Sequence, residues 1–264
     1  MKALIDADVL LYECSAVAEY PKDEPMKSFD FVMEVFNSRI AEILQRTEAD
    51  SYSLYVTGEG NFRFDVAKSK PYKGNRKQDK PYHYLNLKTC VLGMPESILV
   101  EGMEADDAMA IAQTDDTIIC TRDKDLRMVE GNHFGWESGL QGQYGPRHID
   151  KHGFLELTER KQLKGGGDMF FYSQLLTGDS VDNIPGLKGC GPAKAYKVLK
   201  DCKNEQELFE AVQWEYEARL KDDWQEYMLE QGQLLWMIRE VDEEGNPVHW
   251  TIPQFEEKEN ELEF

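Results

Sequence analysis

Long apolar runs, paired cysteines and an excess of positive charge are all missing from this sequence. No apolar stretch approaches membrane-spanning length, although apolar residues make up 41 % of the 264 positions. The first residues are not a signal peptide, because Asp6 and Asp8 interrupt the apolar run. Five cysteines without a Cys-x-x-Cys pair do not form a disulfide framework. We therefore expect a cytoplasmic protein in a reducing compartment.

The scarcity of positive charge argues against a general nucleic-acid binder, but its distribution weakens that objection. Lysine and arginine number 30 against 50 acidic residues, which gives a net charge of −20. Residues 63–88 are nevertheless net +6 and residues 186–203 are net +4, so the remaining chain carries −30. Positive charge is thus gathered in two segments that could grip a phosphate backbone.

Eight carboxylates stand in four tight groups along the chain. Carboxylate oxygens are hard ligands that suit Mg²⁺ or Mn²⁺, and two such ions can hold a phosphodiester and activate the attacking water. With so many acidic residues, a solvated charge is the alternative interpretation of any single group. Together the groups favour a metal site built from Asp6, Glu104, Asp106, Asp107, Asp123, Asp125, Asp179 and Asp182.

Short apolar runs alternate with helical patterns in the first half of the chain, which is typical of a mainly parallel sheet in an α/β fold. We expect Asp6 and Asp123 to lie at carboxyl ends of strands, where sites of such sheets gather. Ser28 is a plausible cap of the first long helix, and Asp8 is expected to cap the helix after the first strand. The predicted strands are 2–6, 51–56, 97–101 and 117–120, and the predicted helices are 28–47 and 105–113.

The pattern changes after Gly165-Gly-Gly167, which we interpret as a hinge or tight loop. This boundary predicts two domains, residues 1–167 and residues 168–264. The second domain is predicted to be helical, with helices over 168–177, 192–200, 204–213 and 214–239.

A glycine-rich turn at 178–192 joins two of these helical runs. Its glycines allow backbone conformations that are closed to other residues, and Pro192 suits the first position of a helix. The amides of such a turn can face a phosphate, with help from the helix dipole and from nearby lysines. A plain helical hairpin is the alternative. The predicted phosphate-binding residues are Lys188, Gly189, Gly191 and Lys194.

A series of motifs resembles the 5′-nuclease superfamily, which includes flap endonucleases, bacteriophage 5′→3′ exonucleases and the 5′-nuclease domain of bacterial DNA polymerase I. The motifs follow the order of that family over about the first 200 residues. They are Leu4-Ile-Asp6, Tyr72-Lys73-Gly-Asn-Arg76, Glu104-Ala-Asp-Asp107, Thr121-Arg-Asp-Lys-Asp125 and Gly178-Asp-Ser-Val-Asp182-Asn-Ile-Pro-Gly186.

The resemblance implies a PIN-like nuclease domain with a helical arch near 72–94, plus a helix-three-turn-helix segment. The eight carboxylates would surround two Mg²⁺ or Mn²⁺ ions, and carbonyls of the segment often hold K⁺ in this family. Lys73 and Arg76 match the basic pair that approaches the scissile phosphate, and Lys77 is a further DNA contact. Tyr72 matches a residue that stacks on a base, and it could equally be a core aromatic.

One position departs from the pattern of the family. Thr57 stands where a further aspartate is expected after the second strand. Glu59 and Asp65 are nearby acids, but their spacing does not give a clean substitution. The balance between the two metal positions is therefore open.

The resemblance predicts a divalent-metal-dependent 5′→3′ exonuclease or structure-specific flap endonuclease that acts in phage or cellular DNA replication, in the host cytoplasm if the gene belongs to a phage. Its partners would be DNA with 5′ ends, nicks or flaps, with an RNA–DNA hybrid as a further substrate, and we expect a monomer that binds no membrane. Two alternatives stay open: a PIN-type ribonuclease, and a non-catalytic DNA-binding relative in which Thr57 is the trace of lost activity.

Overall fold

The computed structural model describes residues 1–76 and 79–255 of the chain. Its strands are β1 (Lys2–Asp6), β2 (Ser51–Thr57), β3 (Ser97–Val100), β4 (Thr117–Cys120), β5 (Gly131–Gly135), β6 (Tyr144–Ile149), β7 (Phe154–Leu157) and β8 (Leu163–Gly166). Its helices are α1 (Ala7–Val17), α2 (Phe29–Thr47), α3 (Arg63–Val66), α4 (Tyr84–Leu92), α5 (Ala105–Ala112), α6 (Gly167–Thr177), α7 (Pro192–Leu199), α8 (Glu205–Leu220) and α9 (Trp224–Leu235).

A six-stranded sheet in the order β3-β2-β1-β4-β5-β6 lies at the centre of the molecule. The first five strands are parallel, and β6 runs antiparallel to β5. Strands β7 and β8 form a separate antiparallel pair. The predicted α/β class with a mainly parallel sheet is confirmed, and the carboxyl ends of β1, β2 and β4 meet at one edge, as such sheets require.

Helices cover both faces of the sheet because successive side chains of a buried strand point to opposite sides. In β1, Ala3 and Ile5 pack into a core with α1, α2 and α4, whereas Leu4 packs into a core with α5, α6, α8 and α9. No helix in the described residues is both long enough and apolar enough to cross a membrane.

Two helix starts show how the local sequence sets the first core. Ser28 caps α2 as predicted, since its hydroxyl accepts a hydrogen bond from the amide of Phe31. The cap of α1 is Asp6 rather than Asp8: its Oδ1 accepts from the amide of Val9 at 3.1 Å. The prediction for Asp8 was therefore wrong, because the helix begins one residue after the strand ends.

The Gly165–Gly167 segment is not a hinge or loop. Gly165 and Gly166 belong to β8, and Gly167 begins α6. A Cβ at Gly165 would lie 2.8 Å from the Phe170 ring, so this strand needs glycine for close packing. The last two predicted helices, over 204–213 and 214–239, differ from the observed ones. Helix α8 continues to Leu220, and a short turn at 221–223 separates it from α9. The division into two domains stays a prediction.

Candidate functional site

Three carboxylates without a basic partner form the centre of the site. Asp6 ends β1, Asp106 lies in the first turn of α5, and Asp123 follows β4. Burial and then the charges of Asp6 and Asp123 raise the pKa of Asp106 well above its ordinary value. Burial and then the charge of Asp8 raise the pKa of Asp6 to about 7. Within the described residues none of the three has a salt bridge. Lys73 lowers the pKa of Asp106 and Lys124 lowers that of Asp123, but burial and the neighbouring acids outweigh both lysines.

Two basic residues from the segment after α3 reach the same centre. Lys73 Nζ contacts Glu104, and Arg76 Nη2 lies 2.6 Å from Asp182 Oδ1. Burial alone would raise the pKa of Glu104, but the charges of Lys73 and Arg63 outweigh it and lower that pKa. The structure thus brings the predicted basic pair to two of the predicted carboxylates. Lys77 lies outside the described residues.

Lys124 is a counter-ion that the sequence analysis missed. Its Nζ lies 2.7 Å from Asp125 Oδ1 and 2.6 Å from Asp179 Oδ2. Burial would raise the pKa of Asp179, but the hydrogen bond and charge of Lys124 bring it below its ordinary value. Asp125 also accepts from Gln174, and burial followed by the charge of Asp123 raises its pKa to about 7. The signal was present, because Lys124 stands between two of the predicted aspartates.

The donor set fits a hard divalent cation. Asp6, Asp106 and Asp123 supply only carboxylate oxygens, and their raised pKa values show that added positive charge would be stabilising there. Across residues 1–76 and 79–255, no three Asp, Glu, His or Cys side chains already stand close enough to enclose an ion. Lys73 and Lys124 instead hold four of the surrounding acids.

Asp107 is placed differently from the other predicted ligands. It is fully buried, and both of its oxygens accept from the Arg63 guanidinium, at 2.6 and 2.8 Å. It also accepts from the amides of Glu104 and Ile238. A carboxylate with every lone pair so engaged has no capacity left for a cation. Asp107 therefore fixes the start of α5, and we no longer count it among the candidate ligands.

Tyr72 is a buried residue and does not present its ring to solvent. It is 4 % exposed, and its hydroxyl donates to Glu104 Oε2 at 2.9 Å or to Asp182 Oδ2 at 3.0 Å. Its ring packs edge-on against Phe64, which is 59 % exposed. The structure therefore shows the core-aromatic alternative rather than a free stacking surface. Tyr72 orients two acids of the site.

Asp8 brings a carboxylate to the carboxyl end of β2, where the sequence has Thr57. The Thr57 amide donates to Asp8 Oδ2 at 3.0 Å, and the Thr57 hydroxyl accepts from the amide of Ala105 at 2.9 Å. Asp8 also raises the pKa of Asp6, so the two charges are within electrostatic reach. Glu59 and Asp65, the nearby acids considered from the sequence, are both exposed. An acid from α1 thus stands at the strand end where the sequence has a threonine.

The glycine-rich turn forms a tight hairpin that is attached to α9. Asp179 and Ile184 pair as an antiparallel bridge, and the Gly186 amide donates to Gln231 Oε1 at 3.0 Å. Gly189 and Gly191 have open space beside their Cα atoms. The two predicted lysines differ in their surroundings, because Lys188 is exposed whereas Lys194 lies 2.7 Å from Glu215. Pro192 begins α7 as predicted.

We expect Gly186→Ala to loosen this hairpin. Gly186 has φ +61°, and an added Cβ would lie 2.1 Å from the Gly178 nitrogen, so the backbone must move. The expected loss in the free energy of unfolding is about 1–3 kcal/mol, measured by urea denaturation. Gly191→Ala is the control, because nothing lies within 4 Å of its Cβ position. Equal losses for the two variants would contradict the close approach.

Comparison with known proteins adds sequence and fold similarity to this geometry. A scan against protein-family models finds no match. DNA polymerase I of Rhizobium leguminosarum is 37 % identical over 112 residues, which are 39 % of this chain and 10 % of the polymerase. DNA polymerase I of Deinococcus radiodurans is 30 % identical over 153 residues, which are 53 % of this chain and 15 % of the polymerase. The chain thus matches only a small part of these relatives.

Solved structures of bacteriophage T5 proteins share the fold. The T5 5′-exonuclease with bound zinc has a TM-score of 0.53 at 16 % identity, covering 89 % of this chain and 100 % of the exonuclease. The T5 flap endonuclease in complex with DNA and metal ions has a TM-score of 0.52 at 15 % identity, with 89 % and 98 % covered. The chain therefore shares the fold of these T5 structures and is similar in sequence to part of DNA polymerase I.

Proposed function

We propose that this chain is a member of the 5′-nuclease superfamily and hydrolyses DNA phosphodiesters from 5′ ends or at flaps, with divalent cations. The observation that carries the proposal is the placement of Asp6, Asp106 and Asp123 at one sheet edge, where none of them forms a salt bridge within the described residues. Carboxylates in such a cluster repel one another when ionised, and bound cations would offset that repulsion. The adjacent hairpin and basic pair supply the contacts that a phosphate backbone needs.

The proposed cofactors are two Mg²⁺ or Mn²⁺ ions, held by Asp6, Asp106 and Asp123 with Glu104, Asp125, Asp179 and Asp182 around them. Bound divalent cations stabilise charge on the attacking and leaving oxygens of a phosphodiester. Potassium at the carbonyls of the 178–192 hairpin stays a prediction from the resemblance.

The protein's own residues would position the substrate. Lys73 and Arg76 now pair with Glu104 and Asp182, and each can exchange that partner for a phosphate oxygen close to the acidic centre. Arginine can hold a phosphate through two parallel hydrogen bonds, whereas lysine acts as a point charge. Lys188 and the open glycines of the hairpin would hold the duplex backbone. Because these contacts go to phosphate, selectivity would come from DNA shape and ends rather than from base sequence.

A time course on 5′-labelled duplex, nicked and flapped DNA tests the proposal. With Mg²⁺ we expect short 5′ products, and with chelator we expect none. Single-stranded RNA is included because the acidic centre alone is compatible with a ribonuclease. Faster cleavage of that RNA than of flapped DNA would replace the proposal, and no cleavage of any substrate would indicate a non-catalytic DNA-binding protein.

We propose that Asp8 replaces the acid that the superfamily pattern expects at position 57. Asp8→Asn keeps the size of the side chain but removes its charge beside Asp6 and the end of β2. We expect Mn²⁺ affinity, measured by calorimetry without DNA, to fall about 10-fold, the lower range for a group that supports metal ligands.

Matched variants make the role of Asp8 specific. Glu59→Gln and Asp65→Asn remove exposed acids from the same segment and should leave Mn²⁺ affinity unchanged. Adding Thr57→Asp to Asp8→Asn should restore affinity, since aspartate can also accept the Ala105 amide that Thr57 now binds. An Asp8→Asn protein with wild-type Mn²⁺ affinity would refute the role.

A further inference from the structure

An open groove leads away from the acidic centre, on the side formed by β5–β6 and β7–β8. Its volume is about 1490 Å³. One end is bounded by Asp123, Asp125 and Asp182, and the other walls come from the two antiparallel strand pairs. The groove is therefore continuous with the site described above, but most of its walls are built from residues 135–164 that have no part in that site.

Basic side chains line this groove in an otherwise acidic protein. Arg147, Arg160 and Lys164 are exposed, and none of them has a salt bridge within the described residues. Two acids of the groove walls have neighbours of their own. Glu13 accepts a hydrogen bond from the Trp136 indole at 2.8 Å, and Glu156 lies opposite Lys164 in the β7–β8 pair. The groove thus offers three exposed cations to a polyanion beside a centre that would cut one.

Two arginines of the groove lie on aromatic rings. The Arg127 guanidinium is 3.9 Å from the centre of the Tyr144 ring, and that of Arg147 is 4.1 Å from the centre of the Phe154 ring. Both rings are half-buried, and Leu140 at the tip of the β5–β6 connection is fully exposed. Stacked guanidinium groups and rings present flat surfaces on which unpaired bases stack, while the same cations reach phosphates.

We propose that this groove binds single-stranded DNA next to the acidic centre. A duplex hides its bases and would lie on the 178–192 hairpin instead, whereas an unpaired strand can use the cations, the rings and the apolar tip of the groove together. The inference rests on the proposed nuclease function for its position, but strand binding can be measured without hydrolysis. Sequence reasoning misses the groove because basic and acidic residues are mixed between 122 and 164, and only the folded strands separate them.

The test uses the full chain and a fluorescent oligothymidylate of about 16 nucleotides, with chelator present to prevent cleavage. Arg147→Gln with Lys164→Gln removes two exposed cations. We expect affinity to fall about tenfold at low salt, and the slope of log affinity against log salt to become shallower by roughly 0.7 per cation removed. The matched control is Arg46→Gln with Lys2→Gln, which removes one arginine and one lysine at the opposite, amino edge of the sheet. The control should bind as the wild type does.

A blunt duplex and a photo-cross-linking oligonucleotide decide between occupants. Affinity for the blunt duplex should be unchanged in the groove variant, and 5-iododeoxyuridine should cross-link to the peptides that contain Tyr144 or Phe154. An equal loss for duplex and single strand, or adducts only outside residues 135–164, would overturn the inference. If only the nuclease proposal fails, no substrate is cut with Mg²⁺, but the groove variant still binds the oligonucleotide more weakly than its control does.

Discussion

Asp106→Asn is expected to reduce Mg²⁺-dependent hydrolysis of flapped DNA by about 10²–10³-fold or more, the loss seen when one electrostatic group is removed from a reacting centre. The substitution keeps the shape of the side chain and removes one of three carboxylates that form no salt bridge within the described residues. It also removes the repulsion between Asp106 and the charges of Asp6 and Asp123. Burial is the main cause of the raised Asp106 pKa, and these two charges are the next. The melting temperature of the protein without metal should therefore stay the same or rise.

That combination separates a chemical effect from unfolding. Asp115→Asn is the control, because Asp115 is exposed just before β4, at the amino edge of the sheet. It should retain full activity. If Asp106→Asn cleaves at the wild-type rate, the acidic centre has no part in hydrolysis. If it loses activity together with several degrees of melting temperature, the effect is structural.

Arg63→Ala is expected to have the largest effect on stability, about 3–5 kcal/mol in the free energy of unfolding, because it leaves a buried charge without its partner. Arg63 is 1 % exposed and forms two hydrogen bonds to Asp107. Its guanidinium also donates to the carbonyls of Leu234 and Trp236, at 3.0 and 2.7 Å. One side chain thus joins α3, α5 and the end of α9.

Denaturation in urea measures this loss, and Arg39→Ala provides the comparison. Arg39 pairs with Glu42 on the surface of α2 at 2.6 Å, a kind of pair that contributes at most about 1 kcal/mol. If Arg63→Ala does not fold, Arg63→Lys keeps the charge but not the paired hydrogen bonds, and should still lose more stability than Arg39→Ala. Similar losses for positions 39 and 63 would show that the buried pair does not anchor these helices.

The parallel half of the sheet was predictable because its strands are short apolar runs with clear ends. The strands β1 to β4 and helix α2 lie within one or two residues of their predicted bounds. The antiparallel pairs were missed, since Gly131-Asn-His-Phe-Gly135 and Leu163-Lys-Gly-Gly166 lack the alternation that indicates a strand. Their glycines are needed by neighbours distant in the sequence, such as Phe154 against Gly166.

The site was predictable as a set of residue types, but not as a set of contacts. The sequence predicted that Asp6 and Asp123 lie near each other, because the carboxyl ends of parallel strands meet at the same edge of the sheet. The partner of Asp107 lies 44 residues away and that of Asp8 lies 49 residues away, and no local pattern reveals either. Tyr72 shows the same limit, since only the fold decides whether an aromatic residue between basic neighbours faces solvent or the core.

Lys73 and Lys124 place ammonium groups beside the acidic centre, where they pair with the surrounding acids Glu104, Asp125 and Asp179. Under the proposed function, an arriving phosphate would offer those lysines another anion and would release Glu104 and Asp179 to receive ions. Nucleic acid and divalent ions should therefore each increase the affinity for the other by the same factor, as thermodynamic reciprocity demands. Such a protein would assemble its reactive state chiefly when both ligands are present, and free ions alone would load it weakly.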